Sequence, residues 1–240
     1  MTGYVHSFES LAAVDGEGLR YAVFLAGCPL RCAYCHNPDT HTRAGAREMD
    51  AAALAKKLER YKPYFGDEGG VTFSGGEPLT QAEFLLELMP LLAERGIRYL
   101  VDTSGAVPLT ETVKAVLAGA QGVILDLKFP DDEGYRRYTG QGIEQPLATL
   151  AYLESIGKRT RVRTVVVPGI NDSEGAIRRY LPHVIDKRCV YRYELLGFHT
   201  LGFFKYEQLG LVNPLADTPP MDREILKGLQ AFVDEQMKRA

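Results

Sequence analysis

Apolar runs rich in β-branched and aromatic residues alternate with helical segments along this chain of 240 residues, and this alternation strongly constrains its fold. Six such runs are predicted to be strands, at 21–25, 70–73, 98–101, 123–125, 161–167 and 190–196. Regular alternation of strands and helices implies parallel strands joined by helical crossovers. The chain is therefore predicted to form either an open doubly wound sheet or a barrel.

Helical periodicity fills the intervals between the predicted strands. Apolar residues three or four apart form three stripes: Leu85, Leu88 and Leu92, then Val113, Val116 and Leu117, then Leu147, Leu150 and Leu153. Asp50 is predicted to begin an earlier helix, 171–173 to begin a later one, and 221–238 to form the last. Thr80 and Glu83 have the spacing of a capping box for the helix with the first stripe.

Polar residues follow every predicted strand at the point where it ends. They occupy 28–35, 74–78, 102–104, 126–128 and 168–171, with His199 after the last strand. In a (β/α) barrel, the loops at the carboxyl ends of the strands open on one face and build the site there. The sequence thus predicts an α/β fold, an incomplete (β/α)6 TIM-type barrel, as a single domain over residues 1–240. Six units leave a lateral gap through which a large substrate could enter.

Composition and charge argue against several classes of function. A net charge of −3 does not suit a nucleic-acid surface. The first residues contain no apolar targeting segment and no later run is long enough to cross a membrane, so we expect a cytoplasmic protein without a membrane partner. Four cysteines, three of them crowded together, do not make a disulfide framework, which agrees with a reducing compartment.

Three cysteines, Cys28, Cys32 and Cys35, lie within eight residues in the spacing C-x3-C-x2-C. Thiolates hold iron-sulfur clusters, and three of them on a four-iron cube leave one iron free for another ligand. A structural zinc site with His36 as fourth ligand is the alternative, although adjacent residues rarely reach one metal. The only other cysteine, Cys189, lies in an apolar run and is predicted to be buried and inert. Spacing alone favours the cluster and leaves zinc open.

The polar residues at the other strand ends also have ordinary interpretations, as turn, cap, surface or core residues: Gly75, Gly76, Glu77, Asp102, Asp126, Lys128 and His199. Their positions at consecutive strand ends favour a shared site, without deciding between the two interpretations.

Motifs along nearly the whole chain resemble one known family. They occupy 6–10, 14–20, 28–37, 72–76, 81–84, 102–103, 125–128, 165–169 and 194–196. In this order they resemble the pyruvate formate-lyase activating enzymes, which belong to the radical S-adenosylmethionine (SAM) superfamily. The resemblance thus rests on several independent motifs rather than on the cysteines alone.

The resemblance implies two cofactors and a set of residues that bind them. Cys28, Cys32 and Cys35 would hold a [4Fe-4S] cluster, whose free iron SAM would chelate through its amino and carboxylate groups. The residues expected to bind SAM are Tyr34, His36, Gly75, Gly76, Glu77, Asp126, Lys128 and His199. Those expected to bind a monovalent cation, Na⁺ or K⁺, are Asp102, Thr103, Asp126 and the carbonyl group of Leu127.

The resemblance also implies a reaction and its partners. An electron from flavodoxin or ferredoxin would reach the cluster, and SAM would be cleaved to methionine and a 5′-deoxyadenosyl radical. That radical would remove a hydrogen atom from a glycine of pyruvate formate-lyase, whose peptide Asp15 would contact. The cofactors carry such chemistry, while the protein orients them and excludes solvent.

The sequence departs from the family pattern in the Asp15 segment, where Glu17 replaces a turn proline. Without the proline the segment is expected to be less rigid, because proline fixes its own backbone angle φ. The stretch 36–70 contains no cysteine, so a ferredoxin-like insert found in some relatives is absent. Two alternatives stay open: a radical SAM enzyme that acts on another glycyl-radical enzyme or a small molecule, and a zinc-stabilised binding protein.

Overall fold

The computed structural model describes residues 1–12 and 15–239, which form an eight-stranded sheet with helical connections. The strands are β1 (Thr2–Ala12), β2 (Arg20–Leu25), β3 (Arg47–Asp50), β4 (Gly70–Gly75), β5 (Tyr99–Thr103), β6 (Gly122–Asp126), β7 (Thr160–Val166) and β8 (Val190–Gly197). Their order in the sheet is β3-β1-β2-β4-β5-β6-β7-β8. Within the described residues, β3 and β8 do not pair, so the sheet is an open barrel.

The six predicted strands are confirmed as β2 and β4 to β8, which run parallel in sequence order. This row is the predicted incomplete (β/α)6 barrel. β1 and β3 were not predicted from the sequence. They pair antiparallel with each other, and β1 also pairs antiparallel with β2. Polar residues interrupt both missed strands, so neither shows the continuous apolar run of a strand buried on both faces.

Helices connect the parallel strands and cover the outside of the sheet. They are α1 (Ala51–Glu59), α2 (Ala82–Glu94), α3 (Glu111–Gly119), α4 (Asp132–Thr139), α5 (Glu144–Ser155), α6 (Glu174–Arg178), α7 (Leu181–Val184), α8 (Phe203–Gln208) and α9 (Arg223–Arg239). The three predicted apolar stripes lie on α2, α3 and α5, and most of their residues are buried. None of the helices in the described part of the chain is both long and apolar enough to cross a membrane.

The helix starts test the capping predictions. The Asp50 carboxylate accepts a hydrogen bond from the Ala53 amide, as expected for the start of α1. The Ser173 side chain likewise caps α6. The predicted capping box of Thr80 is wrong, because a 3-10 turn at Pro78–Gln81 comes before α2. The Thr80 hydroxyl donates to the Glu77 carbonyl instead of capping α2.

The two faces of the parallel sheet differ in polarity. Val71, Phe73, Val101 and Leu125 belong to the apolar core. The alternate positions, which face the other side of the sheet, include the buried polar residues Arg20, Thr72 and Arg161 and the partly buried Asp102 and Arg163. A polar barrel interior below the strand ends is unusual for a packed core, and it supplies the floor of the site described next.

Candidate active site

A cavity of about 300 Å³ opens at the carboxyl ends of the parallel strands. Twelve of the fifteen site residues predicted from the sequence line it: Asp15, Cys28, Cys32, Tyr34, Cys35, His36, Gly75, Gly76, Asp102, Thr103, Asp126 and Lys128. The other three, Glu77, Leu127 and His199, are not among its lining residues. Val14, which the family resemblance included, lies outside the described residues. Groups from separate strand ends thus share one space.

A roomier groove of about 860 Å³ lies beside the amino ends of β5 and β6. Its lining is mostly apolar, with Met89, Pro90 and Ile97 among the residues and Arg98 as the only charged one. The groove is lined by no thiol or carboxylate, whereas the smaller cavity is lined by both.

The loop that carries the three cysteines is held in place by main-chain hydrogen bonds. The Cys28 amide donates to the His41 carbonyl, at 3.2 Å. The amides of Arg31 and Ala33 donate to the carbonyl oxygens of Thr139 and Tyr138 at the end of α4, each at 2.8 Å. Because main-chain hydrogen bonds hold the loop in place, the three thiols are available to bind a ligand.

The three thiols are partly buried around the cavity, whereas Cys189 is buried elsewhere, at 5% exposure. Burial raises the pKa of the Cys28 thiol to about 11 and that of Cys32 to about 12, although the Lys128 ammonium lowers both. Free thiols with such pKa values are protonated at neutral pH. Binding of a metal cluster would therefore release protons from this loop.

Two buried polar atoms beside the cavity have no hydrogen-bond partner among the described residues. They are the hydroxyl of Tyr34, a residue that is 4% exposed, and Nδ1 of His199. Buried polar groups are rarely left unsatisfied in a native protein, so these atoms suit a ligand with polar atoms of its own. Three soft thiolates suit an iron-sulfur cluster. The residues present therefore fit a cluster together with a polar cofactor.

The glycines after β4 are required by close packing. Gly75 has φ +113°, and a Cβ there would lie 2.4 Å from the backbone of Leu25. A Cβ on Gly76 would lie 2.5 Å from the Gly27 carbonyl oxygen. The absence of side chains at Gly75 and Gly76 is thus required first by their packing against β2 and the segment after it.

Glu77 is fully buried, so its side chain cannot reach the cavity. Its carboxylate accepts hydrogen bonds from the Thr103 hydroxyl at 2.6 Å and from the Ser104 amide and hydroxyl at 2.8 and 2.6 Å. A fourth bond comes from the Leu79 amide at 3.1 Å. Burial raises the pKa of this carboxyl, while these hydrogen bonds oppose the shift. Glu77 thus ties the loop after β4 to the loop after β5.

Asp102 and Asp126 are bridged by an arginine that the sequence analysis missed. Arg163 donates to both carboxylates, with its Nε 2.8 Å from Asp126, and the Lys128 ammonium lies 2.7 Å from the same aspartate. Burial would raise the pKa of Asp126, but the charges of Arg163 and Lys128 lower it to about 2. In Asp102 burial outweighs Arg163, and the pKa is raised. The four groups balance two negative charges with two positive ones.

The groups predicted to bind a monovalent cation all have partners within the protein. The two aspartates bind Arg163, the Thr103 hydroxyl donates to Glu77, and the Leu127 carbonyl accepts from the Thr164 hydroxyl at 2.8 Å. Among the described residues, no three side chains of His, Cys, Asp or Glu are grouped so as to hold one metal ion. Arg163 could have been suspected from the sequence, because Arg161 and Arg163 occupy alternate positions of the predicted strand 161–167. A strand between two helical segments is expected to be covered on both faces, where charged residues are unusual.

Asp15 lines the cavity, and a hydrogen bond fixes its main chain there. The Thr72 hydroxyl donates to the Asp15 carbonyl at 2.7 Å. Burial and then the negative charge of Asp102 raise the pKa of the Asp15 carboxyl to about 6, while Arg163 opposes the shift. The carboxyl therefore changes its charge close to neutral pH.

His36 and His199 form a stacked pair, with ring centroids 3.7 Å apart and planes 10° from parallel. Nε2 of His36 lies 2.9 Å from the His199 carbonyl oxygen, so it must donate. Burial and then His199 lower the pKa of His36 to about 4, which keeps the ring neutral at pH 7.

Lys205 of α8, also missed from the sequence, lies 2.8 Å from Asn37 and 3.0 Å from Asp39. It fastens α8 to the cysteine loop.

Comparison with known proteins gives the superfamily to which this chain belongs. Residues 23–181 match the family model described as the radical SAM superfamily, which is more than half of the chain. The crystal structure of SuiB from Streptococcus suis bound to S-adenosylmethionine superposes with a TM-score of 0.67 at 18% identity, covering 88% of this chain and 45% of that one. This likeness supports the fold. The chain belongs to the radical SAM superfamily, whose members use a [4Fe-4S] cluster and SAM.

Two similar proteins of known name identify the family within this superfamily. The chain is 44% identical to the pyruvate formate-lyase-activating enzyme of Clostridium pasteurianum, over 98% of this chain and 99% of that protein. It is 37% identical to the enzyme of the same name from Streptococcus mutans, over 92% of this chain and 86% of that protein. Within the superfamily, the chain belongs to the family of these activating enzymes. The zinc-stabilised binding protein is thereby excluded.

Proposed function

We propose that this protein activates pyruvate formate-lyase by forming a glycyl radical on it at the expense of SAM. The observation that carries the proposal is the convergence of three thiols, Asp15 and an Asp-Arg-Lys network on one cavity, in a chain 44% identical to such an enzyme. We also propose that residues 1–240 act as one domain in the cytoplasm, with a reduced flavodoxin or ferredoxin as electron donor.

In this proposal Cys28, Cys32 and Cys35 hold the [4Fe-4S] cluster. When bound, the cluster and SAM supply reductive cleavage of the sulfonium and removal of a hydrogen atom. The chain has to orient SAM and exclude water. The neutral His36 ring and the buried Tyr34 offer an apolar surface for the adenosine, with His199 beside them.

The charged end of SAM would lie against the network of Asp126, Lys128 and Arg163. The Lys128 side chain is 15% exposed and lines the cavity, so its ammonium group can bind the SAM carboxylate. Gly75 and Gly76 border the same space, and Glu77, whose side chain is buried, follows them directly. A monovalent cation at Asp102, Thr103, Asp126 and Leu127 would require Arg163 to move aside, and a titration with Na⁺ and K⁺ against SAM affinity tests that part of the proposal.

The substrate would be a glycine-containing loop of pyruvate formate-lyase, with Asp15 accepting its peptide N–H groups. A carboxylate that accepts such bonds can hold the glycine α-carbon in place, and a displacement of ~1 Å can cost ~10²-fold in rate. The open side of the barrel leaves room for a loop presented by a large protein.

The test uses anaerobically purified protein with its cluster, SAM, a strong reductant and pyruvate formate-lyase. Electron paramagnetic resonance should detect a glycyl radical on the target, and methionine should appear in matching amount. Methionine without a radical on the target would instead favour another glycyl-radical enzyme or a small-molecule substrate. A protein that carries a full cluster but never cleaves SAM would contradict the radical chemistry itself.

A further inference from the structure

The segment from Asp15 to Gly18 has little stiffness of its own. Gly16 has φ +136° and Gly18 has φ +69°, so glycines in the left-handed region lie on both sides of Glu17. Glycine loses more conformational freedom on folding than other residues, so such a segment needs support to stay in one conformation. A proline at position 17 would restrict the backbone through its ring, whereas this chain has Glu17 there.

Glu17 is supported through its side chain. Its Oε1 accepts hydrogen bonds from the Arg161 guanidinium at 3.0 Å and from the Tyr191 hydroxyl, and its Oε2 lies 3.2 Å from the Arg159 guanidinium. These partners also contact each other. Arg161 Nε donates to the Tyr191 hydroxyl at 3.2 Å, and the Arg159 guanidinium lies 3.9 Å above the Tyr191 ring.

These contacts join opposite ends of the row of parallel strands. Glu17 precedes β2, the first parallel strand, whereas Arg161 lies on β7 and Tyr191 on β8, the last two. Arg161 is only 10% exposed and also lies 3.5 Å from Glu194 of β8, so its position is set by two carboxylates. A partly buried pair of this kind keeps more of its strength than an exposed one.

The charge on Glu17 persists through the neutral range. Burial would raise the pKa of this carboxyl, but hydrogen bonds from Tyr191 and Arg161 and the charge of Arg159 lower it to about 2. A carboxyl with a lowered pKa contributes stability above its ordinary pKa and loses it only as the pH falls towards the lowered one. The contacts of Glu17 are therefore complete at the pH of any activation assay.

The other end of the segment is supported independently. The Asp15 carbonyl accepts from the Thr72 hydroxyl at 2.7 Å, and the Thr72 hydroxyl accepts from Arg20 Nε at 3.0 Å. Arg20 is 1% exposed and also donates to the Val71 carbonyl at 2.6 Å. Thr72 thus holds the main chain of Asp15 at its carbonyl, and the Glu17 side chain holds the segment two residues later.

We propose that Glu17 is a positioning residue for the substrate peptide: through Arg161 and Tyr191 it keeps the Asp15 segment in the conformation that receives the peptide. The inference rests on the proposed function for the identity of the peptide. The support of the segment by Glu17 does not depend on the identity of the peptide and can be tested separately.

The first measurement is hydrogen exchange of the amides in 15–18, in the protein with cluster and SAM but without reductant or peptide. Glu17→Ala should speed exchange by roughly tenfold, because removing the support lets the segment open. Glu17→Pro should return it close to the parent value. Glu174→Ala, which removes an exposed pair with Arg178, is the matched control and should change nothing.

The second measurement is the affinity of the same protein for a peptide that spans the target glycine of pyruvate formate-lyase. Glu17→Ala should weaken binding by roughly five- to tenfold, since the peptide must then order the segment, and Glu17→Pro should restore it. Tyr191→Phe should weaken binding less, and its effect should disappear in the Glu17→Ala background.

Unchanged exchange in a folded Glu17→Ala variant would overturn the inference, as would a Glu17→Pro variant as weak in peptide binding as Glu17→Ala. If exchange changes as expected but the parent protein binds no glycine peptide, the support by Glu17 stands and the proposed function fails. Uncoupled SAM cleavage at the parent rate in every variant shows that the cluster site is intact.

Discussion

The cysteine loop and the Asp15 segment border the same cavity but are held in different ways. The cysteine loop is fixed by main-chain hydrogen bonds to residues around it, such as those from Arg31 and Ala33 to the end of α4. The Asp15 segment depends on side chains, with Thr72 at one end and Glu17 at the other. A substitution of a cysteine in the cysteine loop should therefore remove a ligand without moving the loop. A substitution in the Asp15 segment should instead change the conformation of that segment.

The largest effect is expected in the cysteine loop. Cys28→Ala should abolish cluster binding and SAM cleavage while the melting temperature of the cluster-free protein stays within a few degrees of the parent, because no main-chain contact is lost. Iron analysis, methionine release and thermal unfolding measure the three quantities. Cys189→Ser is the control and should keep its iron. Loss of the cluster in the control would show that the ligands are misassigned.

The next largest effect concerns the charge network between the two segments. Arg163→Met should destabilise the protein by about 3 kcal/mol, because it leaves two carboxylates without their buried partner. Denaturant unfolding of the cluster-free protein measures this. Adding Asp102→Asn to the same chain should recover part of the loss. A single variant as stable as the parent would show that the bridge does not hold the aspartates together.

Glu77 offers a smaller effect of the same kind. Glu77→Gln keeps the size of the side chain but turns an amide donor towards groups that already donate, from Thr103 and Ser104. The loss should be about 2 kcal/mol of unfolding free energy. Since the carboxylate lies behind the cavity, SAM affinity at a temperature where the variant is folded should change far less than in a Lys128→Ala variant.

The smallest predicted effect is a dependence on pH that belongs to the Asp15 segment. The raised pKa of Asp15, about 6, means that its carboxylate form increases as the pH rises through this value. Only that form accepts two peptide N–H groups, so peptide affinity should rise roughly tenfold from pH 5 to pH 7. In Asp15→Asn the profile should be flat. A rise of equal size in the variant would assign the dependence to another group.

The parallel strands could be predicted from the sequence, because strands covered on both faces contain long apolar runs. It missed α4, whose residues Asp132–Thr139 are mostly polar and bury only Tyr135 and Thr139. Arg163 was missed for a different reason. Its link to Asp102 and Asp126 depends on the register of β5, β6 and β7, which no local spacing specifies.

The role of Glu17 was equally out of reach from the sequence. The chain places it 144 residues from Arg161 and 174 from Tyr191, and only the curvature of the sheet brings the three together. The cysteine spacing, by contrast, is a local pattern whose chemistry survives without knowledge of the fold. Local motifs were therefore readable, and contacts across the barrel were not.

The most direct test of the account is the number of glycyl radicals formed per SAM cleaved, compared between the parent protein and Asp15→Asn. If the cysteine loop generates the radical and the Asp15 segment directs it, the variant should cleave SAM at about the parent rate without target. Its glycyl radicals per SAM should fall by roughly 10²-fold. Equal coupling in the two proteins, on peptide and on pyruvate formate-lyase alike, would contradict the separation of these two tasks.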